Sequence, residues 1–387
     1  MPVSARDAVI VEAVRTPVGR RKGSLAEVHP VDLSAHVLNA LVSRAGVEPG
    51  AVDDVIWGCV QQVGAQSFNI GRNSVLAAGW PESVPATTID RQCGSSQQAV
   101  HFAAAGLMSG QYDVAVAGGV EAMTMIPMGA GVSSGVGFPY PPSLLGRYDV
   151  ETFNQGIGAE MMAAKWSLSR EACDEFAALS HSRLASAIDR GVLEGQLAPV
   201  TLPDGSVLAA DEGLRRGTSV ESLAGLKPVF QEDGVIHAGN SSQISDGAAA
   251  LLMMTSEKAA ELGLTPIARF HTGVLAGDDP VMMLSAPIPA TQKALSRSGL
   301  SVDDIGVFEV NEAFAPVPMA WLAEIGADPA KLNPNGGAIA IGHPLGGSGA
   351  RIMTQMVHHM RDNGIRYGLQ TMCEGGGMAN ATIVELL

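Results

Sequence analysis

The chain has 387 residues, 46% of them hydrophobic and 16% charged, with a formal net charge of −15. That length and apolar content support more than one domain core and exclude a disordered chain; the negative balance argues against broad nucleic-acid binding and against adsorption to anionic membranes. No apolar run reaches the roughly 18 residues of a membrane span, no charged leader precedes an apolar stretch, and four cysteines without Cys-x-x-Cys spacing predict reduced thiols in a cytoplasmic protein with no metal site.

The first part of the chain alternates short β-like runs with helical spacing. Strands are predicted at 8–14, 55–60, 86–90 and 114–118, and helices at 31–45, 69–78 and 95–108, a βαβ rhythm that implies a largely parallel sheet covered by helices. From 119 to 241 methionines and Gly/Pro/Ser-rich stretches such as MIPMGAGVSSGVGFPYPPS replace that alternation, with one long helical pattern at 170–190. Such a break reads as an inserted loop domain. After Asp246 the rhythm returns, with strands predicted at 268–275, 307–311, 368–373 and 379–386 and helices at 290–298, 316–325 and 348–361. The simplest division is an N-terminal half (1–118 plus 242–266), a loop domain (119–241) and a C-terminal half (267–387).

Cys93, in DRQCGSSQQAV, falls directly after a predicted strand and before a predicted helix. A helix N-terminus offers unpaired N–H groups and the positive end of the dipole, which favour a thiolate and can hold an oxyanion. The same turn would equally suit a small thiol that only fills space. His343, in NPNGGAIAIGHPLGGSGAR, carries an imidazole able to take a thiol's proton, in a backbone so rich in glycine that it can crowd a ligand. A turn histidine bonded to backbone is the alternative there.

Cys373 ends a predicted strand ahead of Gly375, Gly376 and Gly377. Amides in such a run can approach a carbonyl and the thiol can relay a proton, while a strand-end cysteine can also simply pack. Asn311 and Glu312 lie where the strand pattern of FEVNEAFA passes into a helix, the position of ligand crevices in α/β sheets and a common place for a capping asparagine. The basic pair Arg215 and Arg216 is the best local site for a phosphorylated ligand in an acidic chain, and otherwise an ordinary solvated pair. The methionines of EAMTMIPMG read as packing. Adjacent His358 and His359 point apart on a helix and form no metal pair, and Cys59 and Cys173 read as structural thiols.

Taken in order, DRQCGSSQQAV, AGGVEAM, GNSSQISDGAAA, VNEAFA, NGGAIAIGHPLGGSGAR and CEGGG resemble the motifs of thiolases, the acetyl-CoA acyltransferases, over essentially the whole chain. Their wording is closest to actinobacterial thiolases of fatty-acid and steroid breakdown. The resemblance implies an α/β fold of two thiolase halves stacked as α/β/α/β/α, with the loop domain holding coenzyme A. It makes Cys93 the nucleophile, His343 its activator, and Cys373 the acid and base at the acetyl α-carbon. Asn311 would hold a water that with His343 forms one oxyanion hole, and the amides of Cys93 and Gly375 would form the other. Arg215 would lie beside the adenine, Ser242 on the pantetheine arm, and Phe230 and Phe314 would wall the pocket.

The implied reaction is thiolysis of a 3-ketoacyl-CoA through a cysteine acyl-enzyme, with coenzyme A thioesters as substrates, no permanently bound cofactor, and a homodimer or homotetramer as the assembly. A biosynthetic acetoacetyl-CoA thiolase is the alternative within the class, and a silent acyl-CoA or lipid binder the alternative outside it. A decarboxylating ketosynthase fits poorly, because that relative needs two histidines where this chain offers His343 and Cys373. Two departures stand out: Asn154-Gln155-Gly156 replaces the His-Met-Gly of many short-chain thiolases, and Glu374 puts a charge beside Cys373.

Overall fold

The computed structural model describes residues 4–133, 135 and 137–387; residues 1–3, and Ser134 and Val136 of the Gly/Ser-rich stretch, lie outside them. The first half contains β1 (Ala8–Arg15), α1 (Pro30–Ala45), β2 (Asp54–Gly58), α2 (Ile70–Ala77), β3 (Ala86–Ile89), α3 (Ser95–Ser109) and β4 (Val114–Ala122). The loop excursion carries α4 (Gln155–Lys165) and α5 (Arg170–Asp189), and β5 (Ser245–Thr255) closes the half. The second half contains β6 (Ala268–Gly277), α6 (Pro287–Ser298), β7 (Val307–Val310), α7 (Pro316–Ile325), α8 (Leu345–Asn363), β8 (Tyr367–Glu374) and β9 (Met378–Leu386).

These strands follow the order β7-β8-β9-β6-β1-β5-β4-β2-β3. The two half-sheets meet only at a thin antiparallel seam, Val9 opposite Arg269 and Ile10 opposite Ala268. Within each half the pairing is the same. β2 runs parallel to β4 as β7 runs parallel to β8, and antiparallel partners follow, β4–β5–β1 in one half and β8–β9–β6 in the other. Even the parallel partner of β2, strand β3, has a counterpart in the single parallel bridge between Phe308 and Leu332.

The sheet is therefore mixed, not largely parallel. The missing piece in the sequence reading is β5, an 11-residue strand buried along its whole length. Ala248, Ala250, Leu252 and Met254 face the outer core while Ala249, Leu251 and Met253 face the inner one. With no polar residue marking a solvent face, DGAAALLMMT has no visible period of two, and alanine, leucine and methionine suit a helix as well. β4 likewise runs on through Ala122, so the excursion leaves the sheet four residues later than expected.

Three cores define five layers. The outermost clusters seat α1 and α2 on one half-sheet and α6 and α7 on the other, while α3 and α8 share the central cluster with residues from both sheets. A helix between two sheets has no solvent face, which is why 15 of the 19 residues of α8 are buried. Its glycines do not crowd a ligand, as their density suggested. A Cβ on Gly346 would stand 2.6 Å from Cys59 Cα, and one on Gly349 would stand 2.3 Å from the Gln97 nitrogen. They let α8 cross the strands and α3 backbone to backbone.

The excursion is clamped to the sheet by a buried ion pair. Arg15 and Asp211 form a two-pronged contact at 2.7 and 2.9 Å, with Gln196 accepting from Arg15 Nε and Val18 N–H donating to Asp211. Both side chains are essentially inaccessible. Asp211→Ala should cost about 3–5 kcal/mol, because it strands a guanidinium without its counter-charge in a dry site. Denaturant unfolding would measure this, and a loss below about 1 kcal/mol, the scale of an exposed pair, would show that the clamp is not desolvated.

Candidate active site

Cys93 stands in the turn between β3 and α3, two residues ahead of the helix. Asp90 Oδ1 accepts from the Gln92 N–H at 2.6 Å, and the Ser95 hydroxyl donates to Gln92 O at 2.6 Å while accepting from the Arg91 N–H at 2.9 Å. These bonds hold Gln92 at φ 48°, a left-handed conformation that costs a residue with a Cβ about 1–2 kcal/mol. The nucleophile candidate thus sits on a rigid turn. Its thiol is 5% exposed and is pushed up to about 12, first by burial and next by the Glu374 carboxyl. The helix end favours ionisation, as expected, but loss of hydration outweighs it.

His343 occupies the equivalent place in the second half, two residues ahead of α8. Gly342 before it has φ 118°, and a Cβ there would lie 2.3 Å from Ser245 Oγ, so only glycine fits. The His343 N–H reaches Gln243 O and Ser245 Oγ, each at 3.2 Å. Ser348 fixes the ring. Its hydroxyl donates to Pro344 O at 2.8 Å and therefore accepts from Nδ1–H at 2.6 Å, leaving Nε2 as the open base. Burial, with Arg351 adding to it, holds the imidazole down to about 3, so it is neutral at rest.

Asn311 follows β7, its N–H on Thr371 O at 3.1 Å, and its Nδ2 makes a long contact of 3.4 Å with His343 Nε2. Its side-chain oxygen is buried with no protein partner. Cys373, next to last in β8, is almost fully buried, its thiol raised first by burial and then by Cys93, and the adjacent Met372 packs in one cluster with Cys93. Leu345 packs in one cluster with Cys93, which brings the His343 loop over the first cysteine. A Cβ on Gly375 would stand 2.8 Å from Gln92 Oε1, so the backbone after Cys373 meets the side chain of the residue before Cys93.

Phe314 and Phe230 join Cys373 in an apolar cluster, their rings edge to face at 6.0 Å. Ser242 lies beside them, its N–H on Ala313 O at 2.9 Å. Arg215 is not part of this core. It is exposed, its N–H on His181 Nδ1, and its guanidinium makes no hydrogen bond or ion pair among the described residues. Arg216 pairs with Asp189 instead. Asn154 serves a helix, its oxygen capping α4 by accepting from the Gly156 and Ile157 N–H groups. His358 and His359 bond to different partners, Ala13 O and the Asn335 and Asn363 amides.

Sequence reasoning gave no role to three residues that hold this arrangement. Ser348 sets the imidazole tautomer, and its place one helical turn beyond the Gly-His-Pro was the available signal. Glu121, a lone acid in the apolar AVAGGVEAM, accepts from the Val60, Gln61 and Gly346 N–H groups and from Gln66 Nε2 at 2.8–3.1 Å. It ties the loop after β2 to the first turn of α8. Glu312 accepts from the Ser180 hydroxyl, Asn333 Nδ2 and the Ile339 N–H, and so anchors α5 beside Asn311.

Comparison with known proteins extends these observations. Residues 8–257 match the family described as Thiolase, N-terminal domain, and residues 264–386 match Thiolase, C-terminal domain. The chain is 50% identical over 387 residues to the steroid 3-ketoacyl-CoA thiolase FadA6 of Mycobacterium tuberculosis, covering 98% of this chain and 94% of that one. It is 45% identical to a 3-ketoacyl-CoA thiolase of Erwinia tasmaniensis, over 97% and 98% of the two chains. A crystal structure of the Bacillus anthracis acetyl-CoA acetyltransferase superposes with a TM-score of 0.91 at 38% identity, covering 98% and 99%.

Proposed function

Because this chain belongs to the thiolase family, we propose that it cleaves 3-ketoacyl-CoA with coenzyme A, giving acetyl-CoA and a shortened acyl-CoA through an acyl group carried on Cys93. The observation that carries this reading is the arrangement of Cys93 and the Nε2-open His343 at matching ends of the two central helices, with the Cys373 sulfur in the same site.

The resting pair is a thiol and a neutral imidazole. Cys93 therefore gives its proton to His343 Nε2 as its sulfur bonds to the 3-keto carbon, instead of waiting as a thiolate. The Cα–Cβ bond then breaks, and the acetyl-CoA enolate takes a proton from Cys373. The thiol of a second coenzyme A gives its proton to the Cys373 thiolate as its sulfur adds to the acyl-enzyme, and Cys93 leaves with the proton returned from His343. The amides of Cys93 and Gly375 would steady the tetrahedral oxyanion, and Asn311, with its unpartnered oxygen, would orient a water for the enolate oxygen. Run backwards, the same groups perform a Claisen condensation. Ser242, Phe230 and Phe314 would line the pantetheine path, and exposed Arg215 would meet the nucleotide end.

The acyl group we assign is larger than acetyl. The loss of His-Met-Gly at Asn154-Gln155-Gly156 supports this, as does the 50% identity to a protein named for steroid 3-ketoacyl-CoA. We also propose a cytoplasmic homo-oligomer. The edge strand β3 and the exposed Phe68, Phe102 and Met108 support self-association. Thiolysis assays over short, long and ring-bearing 3-ketoacyl-CoAs, with the protein mass recorded before coenzyme A is added, test the reading. Loss of the 3-keto absorbance and one acyl adduct on Cys93 are expected. No turnover across the panel, or an adduct on another cysteine, would overturn it.

A further inference from the structure

The internal duplication makes Glu374 and Glu121 twins. Asp54 pairs with Ala115 in the first half as Val307 pairs with Gly368 in the second, and each glutamate stands six residues farther along its strand. Each also reaches across to the N-terminus of the other half's central helix: Glu121 to Gly346 of α8, and Glu374 to Gly94 ahead of α3. Their surroundings then diverge. Glu121 is saturated by four donors, whereas Glu374 is fully buried with neither carboxyl oxygen hydrogen-bonded.

The carboxyl of Glu374 lies against the nucleophile's own turn. A Cβ on Gly94, the residue after Cys93, would stand 2.0 Å from Glu374 Oε1 and 2.8 Å from Asn380 Nδ2, so the acid fills the space that glycine leaves. Asn380 is the donor beside the acid: its backbone N–H lowers the carboxyl only slightly, and its side-chain amide donates to Gly94 O at 3.1 Å. The charged and titratable groups around Glu374 are Cys373 on its own strand, and Asp90, Arg91 and Cys93 in the turn packed against it. A buried carboxylate without a well-formed hydrogen bond is costly, so the group is carried as the neutral acid.

We propose that Glu374 is a positioning residue that governs the ionisation of Cys93, neutral in the working enzyme and acting as a brake once it loses its proton. Burial lifts the carboxyl to about 8, against the opposing pull of Arg91. Below that pH it adds no charge to the site. Above it the proton passes to solvent, and a negative charge appears beside the sulfur whose own thiolate must form. Like charges in a dry site disfavour each other, so the Cys93 thiol becomes harder to ionise as pH rises. Glu121, at the matching position, also raises the Cys93 thiol, but less than Glu374 does, and its four donors hold it as a fixed part of the fold.

The proposal rests on Cys93 being the nucleophile, and the experiment separates the two claims. Alkylation of the full-length protein by iodoacetamide is followed from pH 6.5 to 9.5 in wild type, Glu374→Gln and Glu374→Leu, with the labelled cysteine located by peptide mass. Both variants should label Cys93 at the wild-type rate at the acid end and about tenfold faster at the alkaline end, the effect of roughly one pKa unit on the thiol. A merely structural role would change the rate by the same factor at every pH, and parallel profiles would overturn the proposal. Labelling that misses Cys93 would overturn the nucleophile assignment and the proposal with it.

Discussion

Cys93→Ala is expected to abolish 3-ketoacyl-CoA cleavage while leaving the fold intact. Cys373 does not replace it, because its thiol is committed to the α-carbon and has no base comparable to His343 assigned to it, and Cys59 and Cys173 are buried elsewhere in the cores. Loss of the covalent nucleophile in enzymes of this kind costs about five orders of magnitude or more, and removal of one sulfur opens little space in the core. Turnover in excess coenzyme A, circular dichroism and the intact mass of a substrate-treated sample would read the result together. A folded variant that kept a tenth of wild-type turnover, or still gained an acyl mass, would remove Cys93 from the mechanism.

His343→Ala should be the next most damaging change. With the thiol lifted to about 12 and the imidazole held to about 3, the sulfur cannot rely on a standing ion pair; it needs a base in contact at the moment of attack. Removing that base should slow acyl-enzyme formation by about two to four orders of magnitude, the usual range for general-base catalysis. The wild-type acid limb follows from the same burial. An imidazole whose charged form is disfavoured stays an acceptor well below pH 6.5, so the pH profile of single-turnover acylation should show no fall centred near 6.5. A variant within tenfold of wild type would sink the assignment, and an acid limb at 6.5 would show that His343 is solvated.

The fold was legible wherever local sequence carried its own period. α3, α5 and α7 lie close to where their spacing put them, because an amphipathic or capped helix is written in consecutive residues. β5 was not, since a strand buried on both faces shows no alternation. Its absence from the sequence reading hid the antiparallel pairings of the first half, whereas those of the second half, β8–β9–β6, lay among strands that were predicted. The site residues were legible as residue types in a recognisable order, but their protonation was not. The helix end ahead of Cys93 was legible and favours ionisation, but the burial that outweighs it and keeps the group a thiol was not.

The sequence by itself determined the order of the motifs, and hence the family, together with the identities of Cys93, His343, Cys373 and Asn311. Tertiary structure decided what those groups are at rest. Ser348 chooses the imidazole tautomer, Glu121 ties the start of α8 to the first half, and dehydration keeps thiol and imidazole uncharged. It also decided what the glycines around His343 meet: the Ser245 side chain at Gly342, and backbone of the first half at Gly346 and Gly349. The reason is physical: helical period and turn chemistry are encoded in neighbours along the chain, whereas solvation and charge depend on residues that only folding brings alongside.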